Sequence, residues 1–141
     1  AASAGAVVED ALDRWGSPAS VFPKDVRTAY VRALSDPNHA HAICEEYRAA
    51  ATLDREHDRT DHAAGRRISC PLLALWSGKG PLEQWYVEES GPFGIWGAWA
   101  DDVRGHSIQG GHFFPEEFPE ETASALAAFF GAVPRDPQDR R

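Results

Sequence analysis

The sequence predicts an α/β fold, and within it the closing part: two parallel strands with their helices, preceded by a run of helices. Three observations predict it. Up to Ala51, apolar side chains recur at helical spacing with no strand pattern among them. A continuous apolar run from Ile68 to Trp76 then stops at Ser77-Gly78-Lys79-Gly80, the pattern of a strand buried on both faces of a parallel sheet. A shorter strand pattern from Val103 to Ile108 leads into the turn Gly110-Gly111-His112 and a helix opening at Pro119.

Taken in order, Val8, Ala11, Leu12 and Trp15 share one face of a first helix, which Gly16, Ser17 and Pro18 end. Pro23 opens a second, with Val26, Tyr30, Ala33 and Leu34 on its apolar face and Ser35-Asp36-Pro37 closing it. Asp36 suits the cap of a third helix, and Pro37 suits its first position, where a missing N–H costs nothing. The stripe there is Ala40, Ile43, Cys44, Tyr47 and Ala51. His57-Asp58-Arg59 reads as a solvated, charged hinge. Between the two strands, Gly91-Pro92 and Gly94 break a mixed segment in which Trp96 and Trp99 begin or cover a helix. The stretch Glu88 to Ala100 is either a cover over a site or an inserted surface loop. In the last helix Glu120 and Glu121 complement the positive end, and Ala123, Leu126, Ala127 and Phe130 form the expected inner face. Two parallel strands leave faces and edges that need neighbours, so further strands are expected from an N-terminal half of the same protein.

Composition narrows the function. A net charge of −8 argues against gripping a phosphate backbone, which takes clustered Lys and Arg, so nucleic acid is not an expected partner. No apolar run approaches the roughly 20 residues of a membrane-spanning helix, and the small apolar N-terminus lacks a basic leader. A cytoplasmic protein is the resulting expectation. The chain has no methionine, position 1 included, which suggests a trimmed chain or a piece of something longer. Cys44 and Cys70 form no CxxC pair and are expected as buried free thiols. No ligand cluster for a metal stands out, and no metal or organic cofactor is expected. Trp76, Trp85, Trp96 and Trp99 crowd one stretch, either as an aromatic-walled region or as ordinary core.

His112 is the residue with chemical promise. A histidine after a sheet strand and before the closing helix suits a general base, since its charge changes near neutral pH and its loop projects over the sheet's carboxyl edge. Gly110 and Gly111 let the backbone turn there. By position alone, a surface histidine fits the pattern too.

Longer stretches carry a resemblance. Gly110-Gly111-His112-Phe113-Phe114-Pro115-Glu116-Glu117, continuing to Thr122, resembles the catalytic-histidine loop and final helix of the haloacetate (fluoroacetate) dehalogenases, members of the α/β-hydrolase superfamily. The passage Ala40 to Arg59, containing Glu45-Glu46-Tyr47-Arg48, is similar to that family's cap-to-core passage. Pro71 to Gly80 is similar to the strand that follows, and Asp102-Val103-Arg104-Gly105-His106 to the last strand. Order and spacing agree over residues 8 to 131. The histidine loop by itself also fits epoxide hydrolases and haloalkane dehalogenases.

The resemblance implies the C-terminal part of an α/β-hydrolase fold, its last two parallel core strands and their helices preceded by helices of the cap domain. Residues 1–65 would be the end of the helical cap and its connection to the core, 66–133 the end of the core, and 134–141 a polar tail. It also implies a two-step hydrolysis of a small halogenated carboxylic acid. An aspartate displaces halide to form an ester, and a histidine then activates the water that hydrolyses it. His112 would be that base. Tyr47 would help hold the departing halide, although it shares an apolar helix face with Ile43 and packing explains it equally.

Several of the family's parts are missing. No Gly-x-Asp-x-Gly elbow exists in this chain, and His57-Asp58-Arg59 lacks the flanking glycines that would make it one. Ser77 to Gly80 holds no carboxylate to orient the imidazole. The family's habit of placing that acid one strand earlier would put it upstream of Ala1, with Glu83 a weak stand-in. The chain is therefore expected to belong to a dehalogenase and, taken alone, to be inactive. An epoxide or ester hydrolase of the same fold is the first alternative. A truncated, non-catalytic binding partner docking on a separate N-terminal half is the second. Whether the protein forms a homodimer is left open.

Overall fold

A computed structural model describes residues 3–15, 17 and 19–132; Gly16, Pro18 and the expected tail at 134–141 lie outside the described residues. The chain divides into two compact units, Ala1–Arg67 and Ile68–Arg141.

The first unit is helical. Helix α1 (Ala4–Arg14) starts where the Ser3 hydroxyl accepts from the Ala6 amide at 3.2 Å. Its Val8 and Leu12 are buried, as is Phe22 in the turn before α2 (Lys24–Ser35), and these apolar groups hold α1 against α2. Across the same contact Arg27 Nε donates to Glu9 Oε1 at 3.1 Å. Helix α3 (Pro37–Ala51) is capped as its sequence predicts, the Asp36 carboxylate accepting from the Asn38 amide at 2.8 Å.

The expected hinge is a fourth helix instead, α4 (Leu53–Ala63), with His57, Asp58 and Arg59 inside it. Thr52, at φ −129° and ψ −86°, interrupts the helical path for one residue, and a helix without an apolar stripe follows. Pairs such as Glu56 and Arg59, 2.7 Å apart and one turn along, suit a solvated helix of this kind. Periodicity misses it because no hydrophobic face marks it.

The second unit holds the sheet. Strand β1 runs Leu72–Ser77 and pairs in parallel with β2, Val103–Ile108, in the register Leu72↔Val103 to Ser77↔Ile108. The first strand is shorter than its apolar run. From Ile68 to Leu72 the chain advances four residues while its partner advances three, from Ala100 to Val103, so the register slips and Ile68 is left as an isolated bridge. Nor is β1 buried on both faces: Ala74 and Ser77 are buried and the rest half-buried, because among the described residues the sheet has two strands. The strands are tightly seated at Gly105, whose φ is +149° and whose added Cβ would run into the Ala74 carbonyl.

The crossover between the strands contains short turns at Pro81–Glu83 and Val87–Glu89 and helix α5 (Gly91–Gly97). After β2 come a four-residue helix α6 (Phe114–Glu117), in a stretch the sequence marks only as loop, and α7 (Pro119–Ala132). In α7 the expected inner face is the wrong one. Ala123, Leu126, Ala127 and Phe130 are exposed, while Thr122, Ala125 and Phe129 are half-buried. This helix is apolar nearly all round, so its sequence marks no single face, and Phe129 instead sits beneath the Arg104 guanidinium, 5.9 Å from its ring centre.

Both cysteines are exposed rather than buried, Cys44 because the outer face of α3 is uncovered and Cys70 because it precedes the strand. Ordinary core packing also fails for the tryptophan cluster: Trp85 and Trp96 are exposed, and Trp76 turns its indole N–H to Glu83. Among the described residues, no helix is long and apolar enough to cross a membrane.

Candidate active site

Parallel strands end side by side, and in this sheet the carboxyl ends are Ser77 and Ile108. That rim is where open α/β sheets gather their chemistry, because loops leaving it converge there. Both exits are tightly turned. The Ile108 carbonyl accepts from the Gly78 amide and from the Gly110 amide, each at 2.7 Å.

The loop carrying His112 is fastened on both sides. The Ser77 hydroxyl, buried, donates to the Gly110 carbonyl at 2.7 Å, and the Lys79 amide donates to the same oxygen at 3.2 Å. One residue on, the Gly111 amide donates to Glu117 Oε1 at 2.7 Å. Gly110 and Gly111 are themselves buried. A Cβ at Gly110 would stand 2.8 Å from Phe114 Cβ and 2.9 Å from Phe118 Cδ2, so the close approach of α6 requires glycine there.

From this fixed base the His112 side chain is exposed, its ring edge-to-face with Phe113 at a centroid distance of 5.0 Å. Near it in the chain, burial raises the Glu116 carboxyl above its ordinary range. The arrangement presents an imidazole, on a backbone held from both sides, at the strand-to-helix junction of a parallel sheet.

Tyr47 lies in the other unit. It sits near the end of α3 and is 70% exposed, so the packing role that sequence also allowed is not made by the residues described around it. Glu83, the weak candidate for an orienting acid, gives one oxygen to the indole of Trp76 at 2.6 Å. Among the described residues, no group of three or more His, Cys, Asp and Glu side chains is placed to hold a metal ion. Sequence reasoning misses Ser77 and Glu117. Both fall inside motifs it singles out, but a hydrogen bond to a backbone glycine leaves no periodic trace.

No family model matches the chain. A fluoroacetate dehalogenase of Burkholderia sp is 32% identical over 122 residues, 86% of this chain and 38% of that protein. A solved structure from Nostoc sp PCC 7120, provisionally classed as an α/β-hydrolase, is 40% identical with a TM-score of 0.81 over 92% of this chain and 42% of its own. Another from Pseudomonas aeruginosa, provisionally classed as an epoxide hydrolase, is 32% identical with a TM-score of 0.82 over 93% of this chain and 42% of its own. The chain thus spans about two fifths of the length of the relatives it matches.

A parallel sheet of this register, overlaid at that level on solved relatives, makes the chain part of an α/β-hydrolase, matching a C-terminal portion of the fold. Within that superfamily it resembles the haloacetate (fluoroacetate) dehalogenases, being 32% identical to one of them over 122 residues.

Proposed function

We propose that the protein to which this chain belongs hydrolyses the carbon–halogen bond of a short 2-haloacid to give the 2-hydroxyacid, and that this chain contributes the base. An aspartate carboxylate from the preceding half attacks the carbon bearing the halogen. The bonding pair leaves with the halide, and an ester forms. His112 then takes a proton from water, the resulting hydroxide adds to the ester carbonyl, and the hydroxyacid departs as its oxygen receives that proton back. Tyr47 would donate its hydroxyl to the departing halide from the cap, formed here by residues 1–65, and residues 66–133 would complete the core. The same reading gives a cytoplasmic enzyme working without a metal or organic cofactor.

The observation that carries this reading is the fastened position of His112 at the carboxyl rim, in a chain 32% identical to a fluoroacetate dehalogenase. Fluoride release tests it. The 141-residue chain alone should release none, because it holds no nucleophile at an elbow. In the whole protein, His112→Asn should release close to one equivalent and then stop, with the ester retained on the protein by intact mass. Sustained turnover by either would overturn the proposal. The Pseudomonas relative favours a second reading, epoxide opening followed by the same ester hydrolysis. Turnover of a halide-free epoxide with none of fluoroacetate would select it.

A further inference from the structure

The base of the histidine loop is held by a carboxylate from outside the loop. Glu117 ends α6, six residues beyond the amide it binds, and its Oε1 accepts from Gly111 N at 2.7 Å in a half-buried setting. A carboxylate accepting from a backbone amide makes a stronger bond than a neutral acceptor, and partial burial removes water that would compete for that amide. The amide belongs to the residue immediately before His112. That N–H shares its peptide plane with the Gly110 carbonyl held by Ser77 and Lys79, so Glu117 holds the plane's second edge, while the next peptide, Gly111 to His112, is held at its carbonyl by the Phe114 amide at 3.1 Å. Losing the Glu117 bond lets the first plane pivot about its carbonyl side and swing the imidazole beyond it.

We infer that Glu117 is a positioning residue for His112, setting the imidazole through the Gly111 amide rather than by touching the substrate. Its relevance to catalysis rests on the proposed role of His112, but the positioning itself is measurable without turnover. Glu117 would thereby supplement an orienting acid acting on the ring: one group fixes the tautomer, the other fixes where the ring's backbone stands.

Three variants separate reach from charge. Glu117→Gln keeps an oxygen at the same distance, Glu117→Asp keeps the charge one methylene short, and Glu117→Ala removes both. In the 15N-labelled whole protein, Glu117→Ala and Glu117→Asp should speed Gly111 amide exchange about ten- to a hundredfold, the loss expected for a bond to a charged acceptor. They should also erase the ring-to-ring NOE between His112 and Phe113, with the melting temperature lowered by only a few degrees. Glu117→Gln should keep the NOE and most of the protection. Should Glu117→Ala fail to fold, the Gln and Asp pair decides by itself. Unchanged Gly111 exchange and an intact NOE in Glu117→Asp would overturn the inference, as would an equal loss of both in Glu117→Gln. In the whole protein, Glu117→Asp should retain the one-equivalent fluoride burst and slow the later turnover. A parent protein that releases no fluoride would sink the dehalogenase reading, while the NMR measurements would still decide whether Glu117 positions His112.

Discussion

His112 and Tyr47, the two side chains given chemical roles here, rest on opposite kinds of support. The histidine stands on a loop whose backbone is buried, turned by glycines and bonded on either side by Ser77, Lys79 and Glu117. The tyrosine stands on a regular helix whose outer face is open, with Ile43 at 43% and Leu53 at 56% exposure near it. What differs is where the stabilising partners come from. The histidine's position is built by residues within about forty of it in sequence. The tyrosine's backbone is fixed by a helix that packs on α2 and α4, while its side chain stays 70% exposed.

The largest test of this contrast is Gly105→Val. A branched side chain there meets the Ala74 carbonyl and demands a backbone conformation that L-residues avoid. Separating β2 from β1 also removes Ser77 from the loop it holds. A loss of about 3 kcal/mol or more is expected in urea unfolding, in the range of severe core and backbone lesions. A loss under about 1 kcal/mol would mean that the strands are not seated as described.

Gly110→Ala should cost less, about 1–3 kcal/mol, because its Cβ presses on Phe114 and Phe118, which can shift part of the way. Gly131→Ala, in the last turn of α7 where an added Cβ meets nothing within 4 Å, should instead stabilise by about 0.5–1 kcal/mol. Opposite signs for the same substitution would sharpen the claim that the histidine loop is close-packed. Equal effects would break it.

These glycines also show how much the sequence discloses. The turn at Gly110-Gly111 is legible from its glycines, although neither has a positive φ and Gly110 is needed for room against Phe114 and Phe118; β2 is legible in full, Val103 to Ile108. The Asp36-Pro37 cap is legible because it is a local bond with a fixed spacing. Misreadings arise where the signal is not local. The start of β1 depends on where its register with β2 slips, between Ile68 and Leu72, so hydrophobicity by itself begins the strand too early, at Ile68. Helix α4 has no apolar face to betray it, and α7 has apolar residues on every face, so Phe129 rather than Phe130 turns inward. The exposed thiols of Cys44 and Cys70 follow from tertiary neighbours, which composition does not encode.

The smallest expected effect is the most discriminating. Tyr47→Phe removes one hydroxyl from a side chain that is 70% exposed, so the stability of the 141-residue chain should move by less than about 0.5 kcal/mol. A change above about 1 kcal/mol would show that the hydroxyl makes a bond within this chain, and the contrast with His112 would collapse. In the whole protein the same variant should act on chemistry instead. Removing a donor aimed at developing negative charge costs about 10²–10³ in kcat. Fluoride leaves poorly without such a donor, whereas chloride needs it less, so the loss should be larger on fluoroacetate than on chloroacetate. Equal losses on the two would assign Tyr47 to packing of the cap and leave the departing halide to other residues.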